Sequence, residues 1–231
     1  MIIISLLPDP VIDYDFENVY APSDDTYLLI DYFKQNINQM YFDGIKLTEI
    51  KKILDLGTGT GIIAIFLQLI KKDNINFNPK IYASDILEDA IKCAKLNEKR
   101  NNIDNQIEFL CSDLFNSFPE SLKHSFNIIV FNPPYLPSSD LIKKNNNKMK
   151  IDYSWNGGIK GYEILIKFLN SAKYYLDLKA KHYIYVITSS RTNLLDFYRN
   201  IRNLGYRNEV VEKKHIFFED IILNRLKYSI H

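Results

Sequence analysis

The stretch Asn132-Pro133-Pro134-Tyr135 narrows the chemistry of this chain more than any other. Two prolines fix φ and stiffen the backbone. The side-chain oxygen of Asn132 and the main-chain carbonyl of Pro133 then offer two hydrogen-bond acceptors in a rigid frame. A carboxamide or aromatic amine nitrogen is a poor nucleophile because its lone pair is delocalised. Two acceptors placed on its N–H groups orient it and favour the positive charge that builds as it attacks an electrophilic carbon. Tyr135 is expected to stack on the flat acceptor group. Asn132, Pro133 and Tyr135 are therefore the candidate catalytic residues. The blander reading is a proline turn that only ends a strand.

A second group of residues suits a nucleoside-type cofactor. Asp55-Leu56-Gly57-Thr58-Gly59-Thr60-Gly61 lies between a strand-like run and a helix-like run. Glycines at Gly57, Gly59 and Gly61 allow a tight turn and close approach of a ligand, and a helix opening behind them presents unpaired N–H groups. The spacing is not that of the dinucleotide fingerprint, so no pyrophosphate is required. S-adenosylmethionine instead offers an ammonium, a carboxylate, a ribose and an adenine. Asp55 suits the ammonium, Asp85 the two ribose hydroxyls and Asp113 the adenine amine, with Ile86 and Leu114 against the ring faces. Each acid alone could be a helix cap. Three acids after three successive strands agree with the rule that open α/β sheets bind ligands at strand C-termini.

The elements that must position these groups alternate. Strands are expected at 52–56, 80–84, 107–111, 127–131 and 182–188. Helices are expected from Ser23 to about Met40, at Gly61–Lys72, around Leu87–Ala94, at Gly161–Leu176 and around Leu194–Leu204. Ser23 is the expected cap of the first helix, with Asp24 and Asp25 at the positive end of its dipole. The tail, 209–217 and 220–228, reads as two strands back to back. The pattern predicts an α/β fold with a seven-stranded, mostly parallel Rossmann-like sheet ending in an antiparallel hairpin.

ILDLGTGTG, the Asp85 and Asp113 positions and FNPPY together resemble the HemK-type amino-group methyltransferases. VYAPSDDTYLL (19–29), SWNGGIKGYEIL (154–165) and HIFFEDIILNRL (215–226) are similar to the archaeal and eukaryotic branch, which methylates class-1 translation release factors. The resemblance spans about 19–228. It implies a class I methyltransferase fold, S-adenosylmethionine as cofactor, and the glutamine of a Gly-Gly-Gln loop as acceptor. It also implies that Thr26, Asp55 and Gly57 hold the cofactor's amino-acid end, Asp85 its ribose and Asp113 its adenine, and that Asn132 binds the substrate amide. The branch works with a small zinc-binding activator that adds a strand to the sheet edge, for which 107–111 is the candidate. The whole chain, 1–231, is expected to be one domain, with 1–50 as an N-terminal extension and helix covering the cofactor site.

The rest of the composition bounds these readings. A chain of 231 residues with 46% apolar content can bury one sizeable core. A net charge of +1 gives no global attraction to nucleic acid, and no separate target-recognition domain fits. Both points weigh against the alternative of adenine N6-methylation on DNA or RNA, whose acceptor NH2 the same tetrapeptide would serve. A non-enzymatic scaffold would have no use for Asn132 and the acids. Cys93 and Cys111 form no CxxC and read as reduced thiols in the cytoplasm. His124, His182, His215 and His231 have no metal-ligand spacing. No segment reaches membrane length without charges. Lys143–Lys150 reads as an exposed Lys/Asn-rich loop, and Trp155, Gly157 and Gly158 as a turn or a wall of the substrate channel.

Overall fold

The computed structural model describes residues 7–16, 19–138 and 156–229. Helix α1 (Asp24–Asn36) leads into a short hairpin, β1 (Tyr41–Phe42) and β2 (Ile45–Lys46). Strand and helix then alternate: β3 (Lys52–Leu56), α2 (Ile62–Asp73), β4 (Lys80–Asp85), α3 (Glu88–Arg100), β5 (Ile107–Cys111) and β6 (Ile128–Phe131). The chain continues through α4 (Glu163–Ala172), β7 (Tyr183–Ser189), α5 (Leu194–Asn203), β8 (Tyr206–Ile216) and β9 (Glu219–Tyr228). The main sheet has seven strands in the order β5-β4-β3-β6-β7-β9-β8. Pairing is parallel from β5 to β7, and β9 is antiparallel to both β7 and β8.

Successive strand residues feed opposite layers. Ile53, Ile81, Ile128 and Tyr185 pack with α1 and α2, while Leu54, Tyr82, Ile129 and Val186 pack with α4 and α5. Burial on both faces is why these strands read as continuous apolar runs rather than alternating ones.

The sequence expectations place the main strands and helices well, with four differences. Helix α1 ends at Asn36, short of the expected Met40, because Ile37 turns extended and pairs with Phe42. The β1–β2 hairpin was not anticipated. Its signal is Asp43-Gly44, two residues with φ of 46° and 72°, the left-handed pair that a type I′ turn requires. Asp43 accepts the hydroxyls of Tyr32 and Tyr185 and the guanidinium of Arg225, which pins the hairpin to β7 and β9. Helix α4 stops at Ala172 instead of reaching Leu176: the N–H groups of Tyr174 and Tyr175 tighten to bonds three residues back, and their carbonyls serve His124, Ser125 and Phe126. Strand β8 begins at Tyr206, ahead of the expected 209.

An extended N-terminal segment crosses α3 and is held there by side-chain amides. Asn101 accepts from Val11 N–H (2.9 Å) and donates to its carbonyl (2.8 Å). One helical turn earlier Asn97 does the same for Asp13, at 2.8 Å each way. Asn97 is fully buried, and its Nδ2 also donates to the Thr60 carbonyl at 2.9 Å. One side chain thus ties the N-terminal segment to the glycine loop. Replacing it strands buried partners, each costing about 1–3 kcal/mol. Asn97→Ala is expected to lower the unfolding free energy by roughly 2–3 kcal/mol, and the more exposed Asn101→Ala by less. Urea unfolding of the two variants against wild type checks the order.

Candidate active site

The register of the sheet brings the two chemical motifs side by side. Leu56, the last residue of β3, pairs with Phe131, the last of β6, across a parallel ladder. The glycine loop and Asn132 therefore leave the sheet from neighbouring strands at one level, about 4.8 Å apart. A Cβ on Gly57 would lie 3.1 Å from the Phe131 ring, so the loop and the strand end are in direct contact. On the other side Ser84 pairs with Leu56, and Cys111 with Asp85. Asp55, Asp85 and Asp113 thus sit at or just beyond one edge of the sheet. The order reverses between β3 and β6, the kind of switch point where such sheets bind ligands.

Asp55 shapes the loop. It is 1% exposed, and its Oδ2 accepts from Thr58 Oγ1 (2.6 Å) and from the Ala64 N–H (3.2 Å). Gly61, the N-cap of α2, has no side chain to cap the helix; Asp55 supplies that acceptor from the preceding strand. Gly61 itself has φ +84°, and any Cβ there would meet Ala94 at 2.9 Å, so both conformation and space demand glycine. Asp85 accepts from Gly59 N–H (2.9 Å) and Leu87 N–H (3.0 Å), one on each oxygen. A carboxylate offers about four acceptor sites, so capacity for two ribose hydroxyls remains. Burial raises its pKa, against the pull of those backbone donors. Beside it Ile86 is 62% exposed, an apolar surface an adenine ring would cover. Asp113 is exposed and turns onto Asn116, and Leu114 is half-buried at φ +49°. These groups fit the amino-acid end, ribose and adenine of S-adenosylmethionine.

Asn132 follows on the neighbouring strand. Its Oδ1 is buried and accepts no hydrogen bond among the described residues. Four other buried side-chain atoms share that condition, on Gln68, Ser84, Asn127 and Asn208. Asn132 alone of these lies in the loop that leaves a strand end beside the glycine loop. An unpaired buried acceptor costs about 1–3 kcal/mol, a cost that an entering N–H would relieve.

Tyr135 requires a correction. Expected to stack on the acceptor, it is instead 6% exposed, packs in the core with α1 and α2, and donates its hydroxyl to Asp25 Oδ2 at 3.1 Å. The apolar ring gains more from the core than an open cleft would give it, and the buried hydroxyl then needs an acceptor. Asp25 also receives the Tyr20 hydroxyl (3.4 Å) and the N–H and Oγ1 of Thr26 (2.6 and 3.2 Å). Thr26 is thus tied through Asp25 to Tyr135, with its hydroxyl proton engaged. Burial and the Asp25 carboxylate push both Tyr20 and Tyr135 far above the ordinary phenol range, so both remain donors.

The backbone of the tetrapeptide is clamped from outside. Thr192 Oγ1 donates to the Tyr135 carbonyl (3.0 Å), and Gly157 N–H to that of Leu136 (2.9 Å). A Cβ on Gly157 would lie 2.8 Å from the Pro134 carbonyl, and one on Gly161 would lie 2.7 Å from that of Tyr135. Gly157 and Gly158 thus form a close-packed turn against residues 134–138. Asp25, Tyr20 and Thr192 were not found from sequence. Asp25 reads there as a first-turn acid, because its partner Tyr135 lies 110 residues away. Lys143–Lys150, Trp155 and His231 fall outside the described residues. Cavities of about 530 Å³ beside α5 and about 400 Å³ between residues 9–14 and α1 are lined by other residues. Among the described residues there is no cluster of metal-ligating side chains, and no helix is long and apolar enough to cross a membrane.

A seven-stranded sheet with this ending, a glycine loop after its first core strand and acids after the next two define the class I methyltransferase fold. The family described as methyltransferase small domain matches residues 28–149, and the chain belongs to it. A Methanocaldococcus jannaschii protein, whose assigned name is protein N5-glutamine methyltransferase MJ0928, is 32% identical over 205 residues, 89% of each chain. A Leptospira interrogans release factor glutamine methyltransferase is 39% identical over 143 residues, 59% of this chain and 43% of its own length. The chain thus spans under half of that bacterial relative. Among solved structures, that of the E. cuniculi Mtq2–Trm112 complex, which methylates the eRF1 termination factor, superposes with a TM-score of 0.56 at 21% identity. It covers 92% of this chain and 99% of the other, a likeness of fold.

Burial pushes the Asp55 carboxyl up to about 7; the Thr58 and Ala64 bonds oppose this and the Asp85 charge adds to it. The folded chain then keeps a proton that the unfolded chain, with an ordinary carboxyl near 4, releases. Stability from this group is full below about pH 4 and is lost as pH rises through about 7. Asp55→Asn should gain on wild type across that window, on the order of a few kcal/mol, and level off above it. Denaturant unfolding of the ligand-free proteins at stepped pH measures this. Parallel pH profiles would mean that Asp55 stays ionised in the fold.

Proposed function

We propose that this protein transfers a methyl group from S-adenosylmethionine to the side-chain amide nitrogen of the glutamine in the Gly-Gly-Gln loop of a class-1 translation release factor. The observation that carries the reading is the unpaired, buried Oδ1 of Asn132 beside the glycine loop. Such an acceptor suits an NH2 on a planar group. The match to the M. jannaschii protein, 32% identical over 205 residues, supports the archaeal and eukaryotic branch.

The bound cofactor supplies an electrophilic methyl on a sulfonium. The chain does the rest. Asp55 and Thr26 would hold its amino-acid end, Gly57, Gly59 and Gly61 would let the backbone approach it, Asp85 would take the ribose hydroxyls, and Asp113, Ile86 and Leu114 would line the adenine. Asn132 Oδ1 and the Pro133 carbonyl accept the two N–H groups of the glutamine amide. They would orient its nitrogen and stabilise the charge that grows on it. No base is needed before transfer, because the proton leaves a nitrogen that has become cationic. Tyr135 acts at one remove: through Asp25 it fixes the loop that carries Asn132.

The partner assignment concerns the other end of the sheet. Among the described residues strand β5 is an edge, paired only with β4, and it holds no proline. We propose that a small zinc-binding activator pairs with Ile107–Cys111, as edge strands invite.

Purified protein with labelled cofactor and release factor, DNA or RNA tests the acceptor. Label on the factor alone is expected, and label on nucleic acid alone would overturn the proposal. In the same assay Asn132→Ala is expected to lower kcat by roughly 10²–10³-fold with an unchanged dissociation constant for the cofactor. Asp85→Ala should chiefly weaken cofactor affinity. Loss of cofactor binding in the Asn132 variant would remove its role toward the substrate.

A further inference from the structure

The turn between β8 and β9 departs from ordinary hairpin chemistry. Ile216 pairs with Glu219, which leaves Phe217-Phe218 as a two-residue loop. Such loops need a left-handed residue and usually place Gly, Asn or Asp there. Here Phe217 takes it, at φ +50°. The two rings are 87% and 88% exposed. A bulky side chain in a conformation it disfavours, next to a second ring left in water, works against local stability twice at one spot. Strain of this kind is the observation from which a functional role is inferred.

The base of the loop is braced toward the active site. Glu219 accepts from Ser189 Oγ (2.5 Å), at the end of β7, and Asp220 N–H donates to Ser190 Oγ (2.9 Å). Lys214 pairs with Asp24 (2.8 Å), next to the Asp25 that holds Tyr135. Val186 is in register with both Phe131 and Asn224. From that level the six residues of β9 back to Phe218 rise about 20 Å, and the two strand spacings between β6 and β9 add about 10 Å sideways. The rings therefore lie beyond the same end of the sheet as Asn132, roughly 20 Å from it.

That distance selects the occupant. A peptide of about five residues centred on the acceptor extends less than roughly 10 Å to either side. A standard protein interface covers about 800 Å² per partner, roughly 30 Å across. Only a folded acceptor spans both points. Charge argues against a lipid surface: Lys213 pairs with Asp220 and Lys214 with Asp24, so the loop carries no free basic cluster.

We propose that Phe217 and Phe218 form a docking element for the body of the methyl-acceptor protein, apart from the residues that hold its glutamine. This rests on the release-factor reading above. The test compares two acceptors, the full-length release factor and a five-residue Gly-Gly-Gln peptide. Phe217→Ala/Phe218→Ala is expected to lower kcat/KM on the factor roughly tenfold or more, chiefly through KM, and to leave the peptide reaction and cofactor affinity unchanged. Phe217→Gly, which suits the turn, should show part of the same loss on the factor with no loss of thermal stability. Equal kinetics on both acceptors, or equal loss on both, would overturn the docking role. A dimer of the wild type that the double variant dissolves would assign the rings to self-association and overturn it too. A wild type that labels neither acceptor, with the zinc-binding activator supplied, would overturn the release-factor reading and this one with it. Loss confined to the factor supports both.

Discussion

The parallel pairing of β3 with β6 is the constraint on which the site depends. A parallel neighbour cannot be reached by a tight turn, so the chain must leave and return. It leaves twice, by α2 to β4 and by α3 to β5, before β6 comes back on the far side of β3. That return creates the switch point. The ladder then fixes the level at which each strand ends, and Leu56 and Phe131 end together. A slip of one residue would move the loop against Asn132 by about 3.3 Å and turn every side chain of the strand to the other layer. The two apolar cores forbid the slip, so the packing that holds the sheet also sets the reach between the motifs.

Position alone does not make Asn132 useful; it must also be rigid. Proline stiffens residues 133 and 134 from within, while Thr192 and the 157–161 turn hold the carbonyls from outside. Tyr135 anchors the far end through Asp25. The loop is thus preorganised by contacts from three distant parts of the chain, as the proposed role of Asn132 toward a poor nucleophile requires.

This division explains what could be read from sequence. Strands and helices were legible because burial on one or both faces writes a local period. The glycine loop, the acids and Asn132 could be placed because each follows an apolar strand run that is visible in the sequence; their proposed roles toward ligands rest on residue type. Asp25 was not, since its role is set by a tyrosine brought near only by folding. Tyr135 was misjudged for the same reason: its ring is as suited to a core as to stacking, and the neighbours decide. The β1–β2 hairpin escaped because two-residue strands carry no period, although Asp43-Gly44 stood in plain view.

The amide pair on α3 has a geometric consequence. Residues four apart on a helix rise about 6 Å, close to the roughly 6.6 Å that separates alternate residues of an extended chain. Asn97 and Asn101 therefore meet Val11 and Asp13 in step, and a helix face serves as a sheet edge without contributing backbone. Because these rungs are side chains, the segment can lift away while the seven-stranded ladder stays intact. Its release is then a local opening, set by four side-chain hydrogen bonds rather than by the stability of the whole fold.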